Sequence, residues 1–242
     1  MQPCLGCGQD QIVHSLFHDY RTAAVNPEII EENNRDTFQQ MAALGLWDEQ
    51  NQCVTNAGAL LFSEAPQDWL PGSYIQYVRY DGTDLESDIL DERRFTGDLS
   101  TSLRTLDAFV QTLFPSRPVP LSALQEQQVT PYPQWAIREL LMNAVMHRDY
   151  QSNAPIRFYQ FSDRIEIQNP GGLYGAAADF PRQNDYRNPK IAEAMKNLAY
   201  VNQFGRGIAT VQAALHTNGN QPAEFDIGQA TFFLVKVLEA NP

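Results

Sequence analysis

Five prolines crowd the stretch between Phe114 and Gln134 (Pro115, Pro118, Pro120, Pro131 and Pro133), and they constrain the fold more than any other feature of this 242-residue chain. Proline has no backbone N–H and a fixed φ, so neither a helix nor a central strand runs through such a segment. The chain therefore reads as two parts, an acidic α+β region over residues 1–125 and a second unit over residues 126–242. A chain this long buries roughly 70–75% of the surface its unfolded form exposes, so no staple is required. Apolar residues at 43% and charged residues at 19% fit a globular protein. No apolar run approaches the ~20 residues of a membrane span. Met1–Asp10 has no basic or apolar leader pattern, so no secretory signal is expected. Three cysteines are too few for a disulfide scaffold, and a reduced, cytoplasmic setting is the expectation.

Charge is unevenly spread. The net charge is −12. Residues 1–125 hold seven basic and eighteen acidic residues, a net of −11, and no lysine; residues 126–242 are close to neutral. An acidic surface repels polyphosphate, so the first part is not expected to grip nucleic acid by itself.

Upstream of the prolines, periodicity predicts helices over Gln11–Tyr20, Pro27–Leu44 and Leu99–Leu113, with Gly45 as a helix stop. Thr55 or Asn56 caps the apolar run Val54–Phe62, and Tyr74–Tyr80 is aromatic and β-branched, a strand. Met1–Gln11, with Cys4 and Cys7, reads as a loose terminus. The spacing of those cysteines from Cys53, His14 and His18 matches no zinc module.

Downstream, a helix is predicted over Gln134–His147, strands over Ile156–Phe161 and Arg164–Gln168, and a glycine loop over Asn169–Gly175. Helices follow at Pro189–Leu198 and Ile208–Asn218, then a strand at Thr231–Leu238. In the first helix Glu139, Asn143 and His147 recur every four residues and share one face, beside the apolar face of Ile137, Leu140, Leu141 and Ala144. A carboxylate can serve as a general base, and an Asn oxygen can ligate a hard cation such as Mg²⁺. The strand Arg164–Gln168 runs into Asn169, Pro170, Gly171 and Gly172, where glycine lets backbone approach a flat ligand. Gly205 and Gly207 open the helix Ile208–Asn218, where free N–H groups and the helix dipole favour anions. The chain holds neither a G-x-x-x-x-G-K-[ST] phosphate loop nor a G-x-G-x-x-G fingerprint after a strand. His147, Arg148, Asp149 and Tyr150 spell a kinase-like "HRDY", but the partner motifs of a kinase are missing; Arg148 or Tyr150 is available to line a site.

The order of these blocks resembles the GHKL (Bergerat-type) ATP-binding fold. "ELLMNAVMH" resembles its N box, with His147 where Asp is commoner, and "NPGGL" and "GRG" resemble its two glycine boxes. "AIRELLMNAVMHRDY", "DRIEIQNPGGL", "RNPKIAEAM" and "FGRGI" are similar to the C-terminal region of RecG-like ATP-dependent DNA helicases and Schlafen/AlbA-type transcriptional regulators, and the likeness runs from about residue 35 to the end. It implies an α+β two-layer sandwich of mixed sheet and helices, with the Bergerat fold in the C-terminal half. It also implies an ATP-binding module, with or without hydrolysis, of a DNA-associated regulator. Glu139 would then activate water, Asn143 hold Mg²⁺, and Asn169 read adenine. Gly171 and Gly172 would edge the base, Gly205 and Gly207 contact phosphates, and His147 sit beside Asn143. Arg187 and Lys190 fall where a lid would bring phosphate partners.

Two positions depart from the pattern. Asn169 stands in place of an adenine-reading Asp, and Leu173 in place of a third glycine. A helicase motor needs a phosphate loop, which the sequence lacks. The alternative is a non-enzymatic interaction module on the same scaffold without ATP. DNA is expected as a partner only through domains outside this chain, a membrane is not expected, and a homodimer is compatible with the sequence.

Overall fold

The computed structural model describes residues 2–32, 34–181, 185–201 and 207–240. In chain order its elements are α1 (His14–Ala24), α2 (Pro27–Glu32), α3 (Thr37–Ala43), β1 (Trp47–Asp48), β2 (Cys53–Val54), α4 (Asn56–Phe62), β3 (Ile75–Tyr80), β4 (Ile89–Phe95) and α5 (Leu99–Leu113). Then come β5 (Arg117–Ser122), β6 (Gln125–Val129), α6 (Gln134–His147), β7 (Ile156–Gln160), β8 (Arg164–Pro170), α7 (Pro189–Asn197), α8 (Gly207–Asn218), β9 (Glu224–Asp226) and β10 (Phe232–Leu238).

Among the described residues the main sheet has the order β4-β3-β7-β8-β10-β9. β3 lies parallel to β7, with Ile75 beside Ile156, and the other neighbours are antiparallel. The sheet thus draws strands from both sides of the prolines. Alternation assigns the faces: Tyr77, Phe158, Ile165, Ile167, Val235 and Val237 are buried and share one core with Leu103 and Leu106 of α5 and Val211 and Leu215 of α8. The reverse face carries Gln76, Arg157 and Gln168 in one cross-strand row and a small cluster of Val78, Tyr80 and Phe161. This is a mixed α+β fold of helices on a multi-stranded sheet.

α6 positions the site. Ile137, Leu140, Leu141 and Ala144 are buried as predicted, and so are Met142 and Val145 on other sides of the helix. A helix that is apolar nearly all round must be enclosed, and α6 packs on β8, α5, α7 and α8. Its remaining polar stripe is Glu139, Asn143 and His147.

Several expectations are corrected. The helix predicted over Pro27–Leu44 is two helices. Asp36 accepts the Gln39 N–H at 2.8 Å and Gln39 returns its amide oxygen to the Asp36 N–H at 3.1 Å, a capping box that starts α3 afresh. Gly45, at φ +72°, does end α3, in a Schellman closure of Leu46 N–H onto Met41 O and Gly45 N–H onto Ala42 O. The first helix begins at His14 and reaches Ala24. The N-terminus is not loose: Cys4 N–H bonds Val54 O at 2.8 Å, Val54 N–H bonds Cys7 O at 3.1 Å, and both cysteines are buried. The proline stretch holds a hairpin, β5–β6. β8 continues through Asn169 and Pro170, opposite Phe233 and Phe232.

Candidate functional site

A cleft of about 340 Å³ opens between α6, the end of β8, the segment after it, and the start of α8. Its lining includes Glu139, Asn143, His147, Asn169, Gly172 and Gly207, drawn from three sequence blocks. Asn143 sits a turn along from Glu139, and its Nδ2 is buried without a hydrogen-bond partner among the described residues. Burial raises the Glu139 carboxyl above the ordinary carboxylate range, opposed by the Arg138 charge. A Cβ on residue 207 would meet Glu139 Oε1, so any larger residue there makes that carboxylate shift from its place against the start of α8. Burial lowers His147 from its ordinary value, and the Arg187 charge adds to the effect. The His147 ring lies 5.5 Å from that of Tyr186 at 32°.

Asn169 is only 3% exposed. Its Nδ2 points toward Pro170 O at 3.4 Å. Gly171 has φ +89°, and a Cβ there would lie 2.9 Å from Asp149 Cβ and 3.2 Å from Arg187 Cζ. Gly172 abuts the backbone carbonyls of Gln229 and Ala230, and its N–H bonds Ala230 O at 3.1 Å. The glycine turn is therefore clasped by the segment leading into β10.

The remaining predicted residues sit elsewhere. Gly171 does not line the cleft and packs against Asp149 and Arg187. Arg187 donates to Gly172 O at 2.8 Å and stacks 5.3 Å from the Tyr174 ring, bracing the turn from outside the lining. Lys190 is paired with Glu193 on α7 at 2.8 Å and does not line the cleft. Gly205 lies outside the described residues. Arg148 and Tyr150 do not line the cleft either. Arg148 is 1% exposed and donates to the carbonyls of Gly72, Asp149, Ser152 and Ala154 over the Tyr150 ring, while Tyr150 donates to Val145 O. The pair fastens the exit of α6.

Sequence reasoning missed the aromatic part of the wall: Trp135, Tyr174, Phe180, Tyr186, Phe225 and Phe233. Phe180 packs edge-on against Phe225 and Phe233 at 5.2 and 5.8 Å. Its available signal was the regular recurrence of Tyr174, Phe180 and Tyr186 in a polar connector. Asp185 also lines the cleft, and among the described residues the lining holds no Lys or Arg. None of the described His, Cys, Asp and Glu residues form a group of three or more that could hold a metal ion, and no described helix is long and apolar enough to cross a membrane.

Residues 153–236 match the family described as "Putative ATP-dependent DNA helicase recG C-terminal". The match begins after α6, so Glu139, Asn143 and His147 precede it. No curated protein matches the chain. Among solved structures, the DIP2311 protein from Corynebacterium diphtheriae superposes with a TM-score of 0.72 at 17% identity. That likeness covers 100% of this chain and 48% of the other, and at such identity it shows a shared fold alone. The chain spans about half the length of that relative. Over residues 153–236, the GHKL-like recG C-terminal family that the motif blocks resemble is the family this chain matches.

Proposed function

We propose that the cleft is a nucleotide site and that the chain is the GHKL-like, ATP-binding module of a DNA-associated or transcriptional regulator, with weak ATP hydrolysis. One observation carries this: a single cleft gathers the polar stripe of α6, the strand-end Asn169 with Gly172, and the helix start at Gly207. The aromatic wall suits a flat base. The N–H groups at the start of α8 suit phosphate. The buried amide of Asn143, with Nδ2 unspent, fits a site that completes its bonding only with a ligand. Mg²⁺ would be held by Asn143 together with phosphate oxygens of the nucleotide, as this cation usually is. When bound, it neutralises phosphate charge. Glu139, made more basic by burial, takes the proton of the attacking water.

Three variants test the assignment. Asn143→Ala weakens Mg²⁺-dependent binding. Glu139→Ala leaves binding nearly intact and abolishes hydrolysis, because a base acts mainly in the transition state. Asn169→Asp raises ATP affinity, since a carboxylate accepts the adenine amino group in a charge-assisted bond. The second reading, an interaction module without ATP, draws on a specific observation. Arg187 and Lys190 are spent on Gly172 and Glu193, and Glu139 and Asp185 give the described lining a negative balance. An intact Asn169→Asp variant with no ATP affinity would select it.

A further inference from the structure

The β5–β6 hairpin forms a two-stranded sheet of its own, with no third strand beside it among the described residues. Such a hairpin is marginal in water by itself. Its sequence makes its two edges unequal. The ladder is continuous from Arg117↔Val129 through Pro120↔Glu126. Pro118 and Pro120 have no N–H, so the inward donors of β5 come from Arg117 and Val119 and both proline nitrogens face out. The outer edge of β5 is thereby closed to strand addition. On β6 the residues opposite the prolines, Glu126 and Gln128, must turn their N–H and C=O groups outward. Glu126 and Gln128 are exposed, and each carries an N–H donor.

We infer that the β6 edge pairs with β6 of a second copy of this chain, antiparallel about a two-fold axis at residue 127, to form a four-stranded sheet. Strand polarity and charge select this register. An axis at residue 126 would set Glu126 opposite its own copy, which is repulsive. An axis at residue 128 needs the backbone of Thr130, beyond the end of β6, and Thr130 O already accepts from Asn218 Nδ2 at 2.9 Å. The axis at residue 127 sets Glu126 opposite Gln128 of the other copy, twice over. The sheet then ends on two proline-blocked edges, so pairing stops at a dimer instead of a fibre. Leu124 at the hairpin tip, 96% exposed, then faces the root of the other copy's arm.

Sedimentation equilibrium on the intact chain tests this. A concentration-dependent dimer is expected. Gln128→Pro removes an outward N–H without touching the inward ladder and is expected to leave a monomer. Gln128→Lys, opposite Glu126, is expected to tighten the dimer several-fold, and Gln128→Glu to loosen it by a similar factor. This opposed pair keeps the test valid even if the proline variant loses its hairpin. A chain monomeric at all concentrations, a dimer indifferent to Gln128→Pro with the hairpin intact, or equal responses to Lys and Glu would each overturn the proposal.

Discussion

Glu139 and Gly207 pack directly against each other in the cleft lining, and the two can be separated by mutation. The burial that raises the Glu139 carboxyl means that its charge costs stability at neutral pH. For a raised folded value, the favourable contribution is full below the ordinary carboxylate pKa and is lost as pH rises through the folded value. Glu139→Gln is therefore expected to raise stability at pH 7–8 in urea unfolding, with the gain fading at acid pH, while hydrolysis is lost. His147 has the opposite dependence: its folded value is lowered, so its contribution is present above the ordinary value of about 6.5 and is lost as pH falls through the folded value. His147→Gln flattens that part of the stability profile. The glycines divide too. Gly207→Ala meets only the tip of Glu139 and shifts that side chain at little cost to the fold. Gly172→Ala meets the fixed Gln229 carbonyl and is expected to cost roughly 1–3 kcal/mol. The i,i+4 spacing made the Glu139–Asn143–His147 stripe legible in sequence. The role of Arg148 was not, since its partners are backbone carbonyls as distant as Gly72, invisible to any local pattern.

At the scale of elements, long uninterrupted helices were readable, and elements set by a single cap or by their partners were not. α5 matches its predicted span because its apolar spacing is long and regular behind the Asp98 cap, and α6 because an apolar run with no glycine or proline extends after Pro133 to His147. The break before α3 depends on the Asp36 capping box, whose D-T-F-Q pattern lies inside an otherwise helical stretch. Asp36→Ala is expected to cost about 1 kcal/mol, measured by thermal or urea unfolding. β4 escaped detection because its Ile89–Phe95 sequence is mostly exposed, an edge strand with charges in place of alternation. β5–β6 escaped because prolines confined to one outer edge look, in one dimension, like a linker.

For the whole molecule, β3 joins β7 in parallel, so the sheet and its core run across the proline stretch. Unfolding in urea, followed by both tryptophan fluorescence and far-UV circular dichroism, is expected to show one coincident transition; two separated transitions would mean that the parts fold independently. The acidic balance predicts no tight duplex DNA binding by this chain alone, and sub-micromolar, salt-sensitive mobility shifts would contradict that. The most direct test of the nucleotide cleft is a thermal-shift titration with ATP, in Mg²⁺ and again in excess chelator. Saturable stabilisation is expected with Mg²⁺, about 2.7 kcal/mol at one hundred times Kd, falling sharply with chelator and in Asn143→Ala. No shift at millimolar ATP and Mg²⁺, or a shift unchanged in Asn143→Ala, would contradict a nucleotide site built on α6.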